Sequence, residues 1–222
     1  WVVGPYGSGK TTANFFKLLH MAKLQNAGPD GVRRSRAVVV RNTAPQLRDT
    51  TLASWNLWFQ HGVAGTWEET KKIFTLKFDD VECEVLFRPL DTPQDVSRVL
   101  SLEITFAIID EFVEIPRAII DALAGRCGRY PAMKDGGATN RGIWGASNPS
   151  TEDNWWFDYL HRPGEAECLP IENGRYFKQP SGFSPEAENL ENLVEGYYSD
   201  QAQGKSEAWV KQYLEAEWGY SI

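Results

Sequence analysis

Apolar residues over the first 150 positions fall in short runs, and the runs alternate between strand-like and helix-like spacing. Trp1-Val2-Val3 is short and continuous, the pattern of the end of a buried strand. From Lys10 to about Gln25, apolar positions at Phe15, Phe16, Leu18, Leu19, Ala22 and Leu24 predict a helix, which "NAGPDG" breaks. "RAVVVR", Arg36 to Arg41, predicts a buried strand, and a Leu- and Trp-rich helix is expected from about Gln46 to Gln60. "KKIFTLKF" and "VECEVLFRPL" flank Asp79-Asp80 and predict an antiparallel pair. The polar stretch "DTPQDVSR" reads as a turn. "EITFAIID" is apolar on both faces, as a strand deep in a parallel sheet must be. Pro116 opens a helix through about Ala124, since proline suits a first helical turn, and "GIWGAS" predicts one more buried strand.

Beyond Pro149 the texture changes. Residues 162–188 are rich in proline and glycine and read as an irregular connection. Helices are expected from Asn189 to about Gln203 and from Ser206 to about Trp218. Strands alternating with helices through residue 149 imply an α/β three-layer fold with a mainly parallel sheet. The expected partition is a core of residues 1–149 and a small, mostly helical subdomain of residues 150–222.

Composition narrows the class. The 222 residues are 42% hydrophobic, enough for a sizeable core, and 13% aromatic, which argues against disorder. No apolar run approaches the roughly 18 residues of a membrane span, and no signal-peptide pattern is visible. Cys83, Cys127 and Cys168 are widely spaced without a C-x-x-C, so neither a disulfide framework nor a zinc site is indicated; each reads as a small buried hydrophobe in a reducing compartment. The net charge of −7 is unevenly distributed: from Phe183 onward there are eight acidic and two basic residues, which leaves the preceding part near neutral. Between Gly31 and Arg48 lie Arg33, Arg34, Arg36, Arg41 and Arg48 with no acid among them. Such a cluster can meet nucleic-acid phosphates or can be a solvated arginine loop. Of these, Arg33, Arg34 and Arg36 are the candidate DNA contacts.

The chemistry begins at Gly4-Pro5-Tyr6-Gly7-Ser8-Gly9-Lys10-Thr11, which fits G-x-x-x-x-G-K-[ST] at every position and is followed by Thr12. A glycine-rich turn lets backbone N–H groups face a polyphosphate, and the helix that follows adds the positive end of its dipole. Lys10 is expected at the β- and γ-phosphates of ATP and the Thr11 hydroxyl on Mg²⁺. "FAIIDEFVE" ends an apolar strand in Asp110-Glu111: an aspartate for the Mg²⁺ shell, and a glutamate to polarise the attacking water. Glu114, one turn on, reads as a surface or capping residue. Ser147-Asn148 ends the next predicted strand, where it can sense the γ-phosphate or serve only as a turn. An arginine that meets charge on the transferring phosphoryl group contributes roughly 10³–10⁵ in rate. Arg41, Arg48, Arg98, Arg126 and Arg129 are candidates between which spacing does not choose.

Taken in order, these stretches resemble the ATPase domain of the large terminase subunit of tailed bacteriophages. "GPYGSGKTT" looks like its Walker A loop, and "VVVRNTAPQLRDT" like its second strand and the helix start after it. "FRPLDTPQDVSRVLSLEITFAIIDEFVEIP" looks like the approach to Walker B, and "GRCGRYP" like a following Arg-Gly-Arg segment. "GASNPS" resembles the coupling motif, and "WVKQYLEAEWG" the linker toward the nuclease domain. The resemblance implies a P-loop NTPase of the RecA/ASCE type. Its activity would be Mg²⁺-dependent ATP hydrolysis, which drives double-stranded DNA into a procapsid. The implied partners are DNA, a portal protein and a small terminase subunit, with the ATPase in a homo-oligomeric ring in the host cell cytoplasm. The resemblance also implies a trans-acting arginine in the loop before Walker B. Arg98 holds that place, followed by Val99-Leu100-Ser101 where many members carry glycine; Arg41 is the second choice. Adenine-binding residues are expected upstream of Trp1 and the nuclease beyond Ile222. Two other readings share the Walker residues: another nucleic-acid translocase or helicase, and a slowly hydrolysing nucleotide switch.

Overall fold

A computed structural model of the chain describes residues 1–90, 92–162 and 174–220; Cys168 lies outside the described residues. Among the described residues there are eight strands: β1 (Val2–Val3), β2 (Arg33–Arg41), β3 (Gly65–Glu68), β4 (Ile73–Phe78), β5 (Val81–Pro89), β6 (Phe106–Asp110), β7 (Gly142–Ser147) and β8 (Phe177–Lys178). They follow the order β3-β4-β5-β2-β6-β7-β1-β8. The chain divides into two compact units, Thr11–Gly145 and Trp1–Lys10 with Ala146–Ile222. The first ten residues therefore group with the C-terminal segment.

In the unit Thr11–Gly145, β2 pairs in parallel with β5 along nine residues, from Arg33↔Val81 to Arg41↔Pro89, and with β6 from Ala37↔Phe106 to Val40↔Ile109. Every residue of β6 is buried, as its two-faced apolar pattern requires. The antiparallel pair β4–β5 turns at Asp79-Asp80 with Phe78 opposite Val81, as the sequence predicts, and β3 extends it. β2 begins at Arg33, three residues before the predicted start at Arg36, because its backbone pairs with β5 from Arg33↔Val81 onward, and each early arginine has an acidic partner nearby. Arg33 meets Asp80, Arg34 meets Asp30, and Arg36 meets Glu84. The expected helix from Gln46 to Gln60 is three joined segments: Ala44–Gln46, a π-helical turn Leu47–Leu52, and Ala53–Trp58. It starts early because Thr43 and Gln46 form a capping box with Pro45 in the first turn. The predicted polar turn also holds a short helix, Val96–Val99.

Trp55 is fully buried at the centre of this unit's core, with ring centroids 5.2 Å from Phe15, 4.3 Å from Phe59, 5.5 Å from Phe74 and 5.4 Å from Phe87. Trp55→Ala is expected to destabilise the protein by about 3–5 kcal/mol, the range for a large aromatic replaced by a cavity, measured by urea unfolding. Burial pushes the Cys83 and Cys127 thiols up to about 12, so both stay protonated at neutral pH. Cys83 is buried as expected, and Cys127 is half-buried.

In the other unit, β1 pairs in parallel with β7 (Val2↔Ala146, Val3↔Ser147) and with β8 (Val2↔Phe177, Val3↔Lys178). A helix unexpected from the sequence, Trp155–His161, is capped by Asn154, buries Trp156 completely and sets its ring against Trp1 at 4.6 Å. The helix expected from Asn189 to Gln203 shrinks to a 3-10 turn, Leu190–Asn192, and the helix Tyr197–Ala202. Asn189 and Gly196 take left-handed backbone (φ 66° and 77°), which interrupts helical hydrogen bonding. The last helix is Glu207–Tyr213, capped by Ser206, shorter than expected because left-handed Ala216 (φ 58°) stops any continuation. Among the described residues no helix is long and apolar enough to cross a membrane.

Candidate functional site

The turn between β1 and the helix Lys10–Lys23 requires glycine at two places: Gly7 (φ 72°) and Gly9 (φ 77°) are left-handed. Lys10 is buried, and its ammonium donates to the Pro5 carbonyl at 2.6 Å, the Gly4 carbonyl at 3.1 Å and Ser8 Oγ at 3.3 Å. The cation is thus held within the concavity of its own loop. The Gly4 N–H donates to the Ser147 carbonyl at 3.1 Å, and Asn148 Nδ2 donates to the Gly4 carbonyl at 2.7 Å. Ser147 and Asn148 are both buried, so the strand-end pair lies against the start of the loop.

Three further side chains that hold this loop are not readable from the sequence. Gln179 Oε1 lies 2.7 Å from Ser8 Oγ, and its Nε2 donates to the Ser8 carbonyl at 3.3 Å and to Glu188 at 2.6 Å. Asn189 Nδ2 donates to the Gly7 carbonyl at 2.7 Å, and the Tyr198 hydroxyl donates to the Tyr6 carbonyl at 2.8 Å. Tyr6 also stacks on Tyr213 with centroids 5.0 Å apart. A Cβ at Gly4 would lie 1.8 Å from Gln179 Oε1, so a larger residue there would displace the Gln179 side chain from Ser8. Gln179 comes from the irregular connection and Asn189 and Tyr198 from the predicted helix, and no spacing signal marks any of them as a partner of the loop.

The unit Thr11–Gly145 carries the second set of residues. Asp110, at the end of β6, is buried, and each of its oxygens accepts a hydroxyl: Oδ1 from Thr11 at 2.9 Å and Oδ2 from Thr51 at 2.5 Å. Thr12 follows on the same helix, half-buried. Glu111 stands where β6 stops, with left-handed backbone (φ 54°, ψ 58°), before the 3-10 turn Phe112–Glu114. For a residue with a Cβ that conformation costs about 1–2 kcal/mol, and such strain concentrates at working sites. The strand end thus presents two adjacent carboxylates in different settings, one fixed by hydroxyls and one re-aimed by the backbone.

The arginine candidates separate by environment. Arg41, ending β2, is buried; its guanidinium donates to Glu114 at 2.8 Å, and its buried Nε has no hydrogen-bond partner. Glu114 is exposed, as a surface residue is expected to be, and is also the ion-pair partner of Arg41. Arg98 sits on the helix Val96–Val99 with 76% of its side chain exposed, paired at 2.7 Å with buried Asp95. Arg48 pairs with Asp49 at the surface. Arg126 donates to the Leu102 carbonyl at 2.8 Å and Arg129 to the Gly125 carbonyl at 3.3 Å. Of the DNA candidates, Arg33 and Arg36 are ion-paired as described, and Arg36 also lies over the Tyr130 ring at 4.0 Å. Arg34 pairs with Asp30 and holds that carboxyl down at about 2.

No protein-family model and no curated protein sequence matches the chain. Solved structures do. The large terminase from a thermophilic bacteriophage superposes with a TM-score of 0.70 at 12% identity over 98% of this chain and 48% of its own. The same terminase in complex with ATP-γ-S gives 0.70 at 12% identity, over 98% of this chain and 47% of its own. The chain has the fold of a large terminase ATPase domain. The large terminase ATPase domain of Thermus phage P74-26 agrees, with a TM-score of 0.58 at 12% identity over 98% of this chain and 87% of that one. The fold is therefore the expected α/β P-loop NTPase fold with a mostly parallel eight-stranded sheet. The chain spans about half the length of the thermophilic bacteriophage's terminase chains that it matches.

Proposed function

We propose that this chain is the ATPase part of a large terminase subunit, hydrolysing ATP to drive double-stranded DNA into a procapsid. The observation that carries the reading is the Thr11–Asp110 hydroxyl–carboxylate pair, which joins the last residue of a complete phosphate-loop pattern to the residue before Glu111, on a terminase-like fold. In this reading the backbone N–H groups of Gly7 to Thr12 and the Lys10 ammonium bind the triphosphate. Lys10 turns from the loop carbonyls to the phosphates, while Asn148 and Gln179 keep the loop's shape. Glu111 orients and deprotonates the attacking water, and Ser147-Asn148 reports the γ-phosphate to the loop.

The residues fit Mg²⁺. Thr11 and Asp110 supply hard oxygen donors, and no group of three or more His, Cys, Asp or Glu among the described residues forms a closed metal cage. Magnesium is held in this way, by one or two protein oxygens with substrate phosphates and water completing the shell. When bound, it would neutralise charge between the β- and γ-phosphates.

Arg98 is the trans-acting arginine in this proposal because its guanidinium is solvent-facing, whereas buried Arg41 suits a role within its own subunit. The proposed partners are DNA, the portal protein and the small terminase subunit, with the ring assembled in the host cell cytoplasm. Arg33, Arg34 and Arg36 are already paired with acids of their own unit, which weakens the positive field they offer DNA. The test is ATP turnover with and without duplex DNA and portal rings. Turnover per subunit should rise on assembly, Arg98→Ala should remove that rise, and duplex should not be unwound. Strand separation would transfer the chain to the helicases; turnover that never exceeds slow single-round hydrolysis would make it a switch.

A further inference from the structure

Thr51 is fully buried, yet nothing in its sequence context marks it as functional. It lies in the π-helical turn Leu47–Leu52, spaced by four from Leu47 before it and Trp55 after it, both of which are buried in the core. A threonine on a helix ordinarily bonds the carbonyl four residues back. Its neighbour does so: Thr50 Oγ1 donates to the Gln46 carbonyl at 2.7 Å. Thr51 instead sends its proton 59 positions along the chain, to Asp110 Oδ2 at 2.5 Å. The distance is that of a charge-assisted O–H···O⁻ bond, the strong class. A π turn inside a helix recurs at functional sites, and here it presents the hydroxyl to the carboxylate.

We infer that Thr51 is a positioning residue for the Asp110 carboxylate, holding Oδ2 so that Oδ1 is the oxygen offered beside the Thr11 hydroxyl. The inference rests on the functional reading above, in which Thr11 and Asp110 serve Mg²⁺. A carboxylate with one free oxygen can rotate about its Cβ–Cγ bond. One with Oδ2 fixed by a buried donor is preorganised, and groups that orient metal ligands in this way commonly change metal affinity about 10–100-fold when removed. The anchor is rigid at both ends, through the Thr43–Gln46 capping box before it and Trp55 after it.

The experiment uses the whole chain with ATP-γ-S and Mn²⁺ as a spectroscopic stand-in for Mg²⁺. Thr51→Val keeps the shape and removes the donor; Thr51→Ser keeps the donor. Mn²⁺ affinity of the ATP-γ-S complex, read by electron paramagnetic resonance, should fall at least about 10-fold in Thr51→Val and stay within about twofold of wild type in Thr51→Ser. ATP-γ-S affinity in EDTA should be unchanged in both. Wild-type Mn²⁺ affinity in Thr51→Val, or equal loss in both variants, overturns the inference. If the valine variant does not fold, Thr51→Ala takes its place, with the same loss expected and the same overturning result. A wild-type chain that binds Mn²⁺ no better with ATP-γ-S than without it overturns the functional reading itself, a result distinct from a failure confined to Thr51.

Discussion

Glu111→Gln is expected to lower the rate of ATP hydrolysis by about 10²–10⁴-fold while leaving ATP affinity within a few-fold of wild type, because a general base acts in the transition state and contributes little to ground-state binding. The substitution is nearly isosteric. It removes the charge that, in the proposed reaction, accepts the water's proton, and it keeps the side chain's length. It also leaves the Thr11–Asp110–Thr51 hydrogen bonds intact, since none of them uses Glu111. Glutamine is under the same backbone demand as glutamate at φ 54°, so the left-handed strain is common to both proteins and cancels in the comparison. Single-turnover hydrolysis with excess protein isolates the chemical step, and equilibrium binding of a fluorescent ATP analogue gives the affinity. Hydrolysis within tenfold of wild type would remove Glu111 from the base role and turn attention to Glu114, which Arg41 otherwise holds.

Lys10→Ala should act mainly on binding. A primary ammonium on the β- and γ-phosphates makes charge-assisted hydrogen bonds of about 1.5–3 kcal/mol each, so ATP affinity is expected to fall about 100-fold or more, with hydrolysis reduced beyond detection at ordinary ATP concentrations. The loop itself should keep its shape. Without the ammonium, the Gly4 carbonyl still accepts from Asn148, the Gly7 carbonyl from Asn189 and the Tyr6 carbonyl from Tyr198. Ser8 retains Pro5 and Gln179. Thermal unfolding without nucleotide should therefore be close to wild type, and the large shift on adding Mg-ATP-γ-S should disappear. A variant that keeps that shift would show that Lys10 is not the phosphate-binding cation. A variant already unfolded without nucleotide would show that the ammonium's contacts to Pro5 and Gly4 are structural.

The two experiments separate because the residues sit at different points of one reaction. In the proposed reaction Lys10 acts on the phosphates as bound, and Glu111 on a proton that moves only during hydrolysis. Thr51, acting through Asp110, should affect neither the metal-independent affinity nor the fate of that proton. Loss confined to the metal dependence distinguishes it from both.

Local chemistry by itself determined the glycine-rich turn before the helix Lys10–Lys23, the Asp110-Glu111 strand end, the hairpin at Asp79-Asp80 and the α/β alternation. Each depends on a short stretch: glycines that permit a left-handed turn, or an apolar run with a fixed period. Tertiary structure alone decided which polar groups meet. Thr51 reads as one more position on an apolar helix face until the fold brings it to Asp110. Gln179 reads as part of an irregular connection, and Asn189 and Tyr198 as positions of a predicted helix, until they close on the carbonyls of Ser8, Gly7 and Tyr6. The unbroken helix expected from Asn189 gave way for the same reason: the Asn189 side chain is committed to the Gly7 carbonyl, and its left-handed backbone ends the helical ladder. The partners of Arg33 and Arg36 come from far along the chain, Asp80 from the β4–β5 turn and Glu84 from β5, whereas Arg34 pairs with Asp30 only four residues away. A buried donor or charge needs one partner, and chain folding can draw that partner from any distance along the sequence, so periodicity and spacing carry no record of it.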